Sequence, residues 1–543
     1  MKICAYGMDG FIVPMMKKFA GEGVLPNFQR MMREGTVNQL APSFPVWTPT
    51  NWATLATGAH TGTHGATRWR VEVAPGKRID SFRGEAINAE RIWNALEREG
   101  LKSVAVHYPA AHPSGVELGY VLDGFGHPVF ANTEVEVAPA QAYVTDRSTA
   151  GGESEMRMGH DGTVLSHLPA AIAHIPALAP ASGWANLPAS SSPPLASRLE
   201  IRSRIGGQAT TFHVLALDTR GQGYDQVRIC RRPDGDACIA RAGAGQWSNW
   251  AIEEFPMGNR SQRAALRFKL LSLSPDGRRL KLYRSQVTYA DHFGFPHDIS
   301  PELVKRHGPY QEHASMEPYN TGMADFDTAL EECEYQGLWF ADVANTMLRE
   351  MGCSLFYCHW HLYDYLNHIH LQDVDPACPA YDPDRAGQVL DYFRRAYQVG
   401  DRILGRLWKG ADPDTCVGIL SDHGACPDVR IANIRKFLHE KGFLAMKRNA
   451  DGLERDHARE QDIDWERTTA YLKDDKGFDI YINARPGTSE FERIERDLLR
   501  ALRTWVDEEV GRTPIAIALP KRDAYLLGQW GDQCGDVVFA WDH

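Results

Sequence analysis

The chain has 543 residues, 43% of them hydrophobic and 24% charged, with a formal net charge of −11. At roughly 100–200 residues per domain it is too long for one simple core and suits several domains, or one large α/β domain carrying an insertion. Acidic and basic residues are dispersed with no basic stripe, which argues against polymeric nucleic acid as a partner. A small phosphorylated ligand stays open, because divalent cations in a pocket outweigh the global charge locally.

In chain order, Met1-Lys2-Ile3-Cys4-Ala5-Tyr6-Gly7-Met8-Asp9-Gly10 reads as a short strand followed by a turn. No basic segment leads into an apolar run with a cleavage site, and no stretch of about 18 apolar residues occurs, so neither a signal peptide nor a membrane span is expected. The ten cysteines form no CxxC pair or regular framework and read as buried thiols of a cytoplasmic protein. Helical spacing at 26–34 and 90–99 and a buried strand at 102–106 alternate as in a largely parallel sheet covered by helices on both faces. After Pro128 the texture changes. Residues 176–196 are rich in Pro, Ala and Ser, and alternating strands are predicted at 211–217, 226–230, 266–273 and 280–287. Ser274-Pro275-Asp276-Gly277 supplies a hairpin turn between the last two. Helices are predicted at 325–351 and 385–407, with apolar strands at 354–358 and 416–420, each running into acidic residues and histidines. The resulting expectation is an α/β core from 1–128 and 301–543, interrupted by a β-rich insertion at 129–300.

Asp9 and the clusters after 358 and 420 all follow strands, where open α/β sheets bind ligands. Thr48-Pro49-Thr50-Asn51-Trp52-Ala53-Thr54-Leu55-Ala56-Thr57-Gly58 reads as a helix with Thr48 capping it, Pro49 at its first position and Gly58 at its end. Thr48 then meets the positive end of the helix dipole, a place suited to a phosphoryl group, although a threonine there can equally be only a cap. Asp364 and His368 are four apart and share a helical face, the spacing that grips one cation as well as that of a solvated pair. Ser421-Asp422-His423-Gly424 follows its strand directly. Asp and His without clustered thiolates suit zinc or manganese, with iron also compatible. His359, His361 and His370 flank Asp364, where a direct place on a metal competes with a supporting or surface role. His64 reads as structural, and Trp47 and Trp52 as packing or as a platform for a leaving group.

Taken together, Gly7-Met8-Asp9-Gly10, Leu25-Pro26-Asn27-Phe28, Thr48-Pro49-Thr50-Asn51-Trp52, Thr57-Gly58 with Gly62-Thr63-His64-Gly65, Asp364 with His368, and Ser421-Asp422-His423-Gly424 resemble the alkaline phosphatase superfamily in its type I phosphodiesterase/nucleotide pyrophosphatase branch. The resemblance spans most of 1–128 and 265–543. It implies an alkaline-phosphatase-like core, Thr48 as nucleophile, and two divalent metal ions. Asp9, Asp422 and His423 would hold one beside the Thr48 oxygen, and Asp364 and His368 the other. Asn51 would donate to a phosphoryl oxygen. The implied activity is hydrolysis of phosphate esters, with small phosphorylated substrates, through a phospho-threonine. A phosphonate hydrolase, a phosphotransferase and an impaired phospho-ligand-binding relative are the alternatives. The branch draws a third ligand for the second metal from a His-Gly near its C-terminus, whereas this chain ends Trp541-Asp542-His543; either His543 replaces that ligand or the sequence is truncated, and the second site is then expected to be incomplete. Asn51-Trp52 replaces the branch's Asn-His.

Overall fold

The computed structural model describes residues 1–74, 76–113, 115–123, 135–146, 171–379, 381–427, 429–430, 432–448, 460–474 and 477–542. His543, offered above as a replacement ligand, lies outside them, as do parts of the 129–300 region. The architecture is mixed α/β around a six-stranded sheet whose order is Gly294–Phe295, Tyr120–Leu122, Lys102–Val106, Cys353–Trp360, Lys2–Met8 and Thr415–Leu420. All of its pairings are parallel except that of Gly294–Phe295.

The central strand shows why a parallel sheet forms here. Side chains alternate across it, so Cys4, Tyr6 and Met8 enter one core and Ala5 the other. The first core is built against the helices Phe326–Arg349 and Pro383–Gly410, and the second against Thr48–Thr57 and Ile92–Arg98. Asn27 and the Phe28 N–H both bond to the Asp401 carboxylate, at 2.9 and 2.8 Å, which pins the helix Pro26–Glu34 to Pro383–Gly410. Gly7 is required by close approach. A Cβ there would lie 2.3 Å from the Cys358 carbonyl oxygen and 2.6 Å from the Trp52 ring.

Register then aligns the strand ends. Met8 lies opposite Trp360, and Gly7 opposite both His359 and Leu420. Asp9, His361 and Ser421 therefore leave the sheet together at its carboxyl edge.

Strands between Glu136 and Tyr289 build three further sheets of five, four and four strands. The 266–273 run divides at Arg267, because Arg260–Leu266 and Phe268–Leu273 belong to different sheets. The 280–287 run divides likewise into Leu280–Arg284 and Val287–Tyr289. Chain that crosses between sheets keeps its alternation, so the pattern alone does not reveal the break. Gly294–Phe295 also departs from its surroundings: it lies within 129–300 but pairs with the edge of the central sheet. A four-stranded sheet of Ala470–Tyr471, Asp479–Ile482, Val537–Trp541 and Ile515–Pro520 closes the chain with the helix Ser489–Arg503. All ten cysteines are free thiols, but Cys416 and Cys426 are exposed, contrary to the expectation that the thiols are buried. Among the described residues no helix is long and apolar enough to cross a membrane.

Candidate active site

Three buried carboxylates, Asp9, Asp364 and Asp422, gather at the carboxyl edge of the sheet with His359, His361, His368 and His423. Asp9 sits at the centre. Its Oδ2 accepts from Trp52 Nε1 at 3.0 Å and meets His359 Nε2 at 2.8 Å. His361 Nε2 lies 3.8 Å from the same oxygen, and His423 Nε2 lies 3.7 Å from Oδ1. Trp52 is therefore neither a stacking platform nor mere packing, since its indole holds the central carboxylate. Gly10 follows with φ +66°, a left-handed turn that brings it against Asp364 and lets its carbonyl accept from Asn367 Nδ2 at 2.7 Å.

His423 lies 3.2 Å from Asp422 Oδ2 and 3.3 Å from Thr48 Oγ1, both through Nε2. Its Nδ1 donates to the Gly424 carbonyl at 2.7 Å, which leaves Nε2 to face the carboxylates. Burial alone would lower the His423 pKa, but Asp422, Asp9 and Asp364 raise it to about 9. Burial raises the Asp422 carboxyl well above its usual range, and the neighbouring Asp9 charge adds to this. Burial also pushes Asp364 up, yet the imidazoles of His368 and His361 prevail and hold it well below the carboxylate range. The pocket thus concentrates negative charge and draws a positive one.

This donor set could hold a cation. Asp9 Oδ1 and Asp422 Oδ2 are buried and accept no hydrogen bond, an arrangement that is costly unless something cationic meets them. Two ligands at ~2.1 Å on a tetrahedral ion stand roughly 3.4 Å apart, and the separations around His423 bracket that value. Among the described residues two groups have ligand atoms converging within 4.8 Å: Asp9 with Asp422 and His423, and Asp9 with His359 and His361. His359 and His361 are what sequence reasoning undervalued. They are two apart at a strand end and so point the same way, a signal present in His359-Trp360-His361.

Thr48 departs from its expected role. The cap position belongs to Trp47, which makes no side-chain capping bond, and Thr48 is the first residue of the helix Thr48–Thr57. Its hydroxyl is directed at His423 instead. Asn51 is buried one turn on. Its Oδ1 accepts from the Ser43 N–H at 2.7 Å and its amide donates to the Trp47 carbonyl at 3.0 Å, while the Pro45 carbonyl is 3.5 Å away. His368 joins Asp364 at 3.2 Å. His370 faces away, toward Asp373 at 2.7 Å and Tyr319 at 3.1 Å. His64 is structural as expected, binding Thr54 Oγ1 at 3.0 Å and the Ala66 N–H at 3.1 Å. Trp47 packs on Trp69 and Phe478, with ring centroids 5.9 and 5.5 Å apart.

An Asp/His cluster at the carboxyl edge of a parallel sheet, faced by a helix-borne hydroxyl, places the protein among mixed α/β proteins whose strand ends carry a donor set that could hold a metal ion. The family's own model settles the particular membership: the chain belongs to the type I phosphodiesterase / nucleotide pyrophosphatase family, matching it over residues 4–151 and 271–542. It is accordingly a phosphoester hydrolase by family. None of the curated proteins matches the chain. Among solved structures, phosphonoacetate hydrolase from Sinorhizobium meliloti 1021 in complex with phosphonoacetate shares 10% identity at a TM-score of 0.43, and its complex with phosphonoformate 12% at 0.41. Each comparison covers 100% of this chain and 80% of the other. These likenesses are too remote to bear on activity.

Proposed function

We propose that the protein is a metal-dependent hydrolase of phosphate diesters with Thr48 as its nucleophile, built on an alkaline-phosphatase-like core. The observation that carries this reading is the Thr48 hydroxyl, free of any capping bond and 3.3 Å from His423 Nε2, beside carboxylate oxygens that lack hydrogen-bond partners. Two divalent cations, zinc foremost and manganese or iron in reserve, held by Asp9, Asp422, His423 and Thr48 on one side and by Asp364 and His368 on the other, would supply a lowered hydroxyl pKa and neutralise phosphoryl oxygens.

Thr48 Oγ attacks phosphorus and gives up its proton, and the alcohol or nucleotide departs with the ester oxygen. The other ester group stays on the phosphoryl-threonine, and water then cleaves the bond to Thr48, releasing the phosphomonoester and regenerating the hydroxyl. Asn51 has one amide hydrogen engaged at Trp47 and the other only distantly opposed, so the second is available to a phosphoryl oxygen. Trp52 and His359 hold Asp9 in place throughout.

The 129–300 region is taken as an insertion that shapes the pocket between core segments 1–128 and 301–543. Support comes from strands between Glu136 and Tyr289 that pair among themselves, and from a family match that omits 152–270. Substrates are small phosphorylated molecules, and ten free thiols suit the cytoplasm.

The test is an acid quench during turnover of an aryl phosphodiester, followed by peptide mapping. A phosphoryl group carrying the remaining ester on Thr48, together with activity abolished by a chelator and restored by zinc, is expected. Turnover with the label on another residue would overturn the mechanism. Monoesters, nucleotide diesters and phosphonates assayed in parallel would show which ester class is preferred.

A further inference from the structure

We propose that Cys230 and Cys238 form a redox-active dithiol, a modification site in the β-rich region that hydrogen peroxide closes to a disulfide. It depends neither on Thr48 nor on a cation at the Asp/His cluster.

Register brings the two cysteines together. The antiparallel strands Gln226–Cys230 and Cys238–Gly243 pair Val227 with Ala242, Arg228 with Arg241 and Ile229 with Ala240, and a bulge that leaves Ile239 unmatched then sets Cys230 opposite Cys238. Facing residues of such a ladder have Cα atoms about 4.5–5.5 Å apart, inside the ~4.4–6.8 Å that a disulfide spans. The Cys230 thiol already donates a hydrogen bond to the Cys238 sulfur, so closure asks for side-chain rotation rather than movement of either strand. Val227, Ile229, Ala240 and Ala242 belong to the core. By alternation the cysteines share the opposite face with Arg228 and Arg241.

Buried cysteines commonly serve as small apolar side chains, and several here do. Burial pushes the Cys4 and Cys353 thiols up to about 12, which makes them inert. Cys238 differs. It is half-exposed, and the hydrogen bond from Cys230, with the Arg241 guanidinium and the Arg228 charge, holds it down to about 6 against the effect of burial, while Cys230 is raised. The paired arginines support the same reading. Like charges facing each other across a ladder repel, and Arg228 Nε is buried without an acceptor. A thiolate at Cys238 supplies the missing negative charge. Asp234, the carboxylate near Cys230, is already bonded to Arg232 at 2.6 Å and to Asn186 at 3.0 Å.

The Cys238 thiolate attacks one peroxide oxygen and the O–O bond breaks, giving a sulfenic acid on Cys238 and hydroxide. The Cys230 sulfur then displaces the sulfenic oxygen, which leaves as water with the Cys230 proton, and the S–S bond forms. Each sulfur is oxidised by one electron and the peroxide is reduced by two. Exchange with a thiol reductant restores both thiols.

To test this, the full-length protein is treated with hydrogen peroxide at pH 7, quenched, alkylated in urea and cut with trypsin without reduction. Arg231 lies between the cysteines, so cleavage after it leaves segments 229–231 and 232–241 joined only through sulfur. The expected product is that linked pair, two hydrogens lighter than the separate peptides together, and dithiothreitol should convert it to two thiol peptides. The link should form several-fold faster than free cysteine oxidises in a parallel reaction, because the gain in thiolate outweighs its lower nucleophilicity. In Cys230→Ser, Cys238 should stop at a sulfenic acid that dimedone captures. In Cys238→Ser, Cys230 should stay reduced. No linked peptide after free cysteine has been consumed overturns the proposal, as does a link that forms no faster than free cysteine reacts. Oxidation of Cys230 at the native rate in Cys238→Ser overturns it too.

Discussion

A hydroxyl at the start of a helix is ordinarily a cap, and here it is not. Because Thr48 makes no capping bond, Thr48→Ala should cost only about 1 kcal/mol, the worth of its contact with His423. Under the proposed mechanism turnover should fall by orders of magnitude, since Thr48 would supply the attacking oxygen, while Thr48→Ser keeps measurable activity. Urea titrations beside steady-state rates would separate the two effects, and an active alanine variant would remove Thr48 from the chemistry. Trp52 poses a different test. Trp52→Phe retains an aromatic ring against Gly7 but withdraws the indole donor from a fully buried carboxylate. A hydrogen bond to a charged group is worth about 1.5–3 kcal/mol, and that loss should be seen in stability, with weaker zinc retention alongside. Zinc retention equal to that of the native protein would show that Asp9 needs no help from the indole.

At the scale of elements, the sheet was largely readable because its strands are short apolar runs buried on both faces, and Lys102–Val106 is found at its expected bounds. The clustering of Asp9 with Asp422 was readable because each lies directly after a strand. It was less so where function depends on which ring faces which. His359 and His361 carry no motif of their own, and their importance arises from the parallel register that sets His359 beside Gly7. The cap at Trp47 was missed by one position because Pro fits either of the first helical places, so Thr48-Pro49 does not by itself locate the boundary.

The same helix carries a pH signature through His64, bound to Thr54 and lowered by burial from 6.5 to about 4. The unfolded chain takes up this proton before the folded one does. Stability is therefore unaffected well above pH 6.5, declines as pH falls from about 6.5 to about 4, and levels below that, a total of about 3 kcal/mol from this group. His64→Asn keeps an acceptor for the Ala66 N–H and removes the titration. Its disadvantage at pH 7 should shrink or reverse at pH 5 in denaturant melts, and parallel profiles would refute the assignment.

Across the whole molecule, the C-terminal sheet is fastened to the core beside the Thr48 helix by Arg68. Its guanidinium reaches Asp479 and the Tyr481 hydroxyl, both at 2.6 Å, from a buried position. Arg68→Ala would leave Asp479 buried without its partner and should cost about 3–5 kcal/mol. Melting of that sheet ahead of the core, read by hydrogen exchange at Asp479–Ile482 and Val537–Trp541, is the expected outcome, and a single unaltered transition would argue that the two regions are joined mainly by their apolar contacts.

The position of Lys2–Met8 in the middle of the central sheet has a consequence for how the protein is made. Both of its neighbours, Cys353–Trp360 and Thr415–Leu420, are encoded more than 340 residues downstream. At roughly 5–20 residues per second, the ribosome delivers the first of them on the order of 20–70 s after the strand itself emerges. During that interval a strand apolar on both sides, with both edges unpaired, has no native place to go. Asp9 and Thr48 wait with it. The Asp/His cluster therefore comes together only once Thr415–Leu420 and the residues after it have been made, and the nascent strand is a natural client for ribosome-associated chaperones until then.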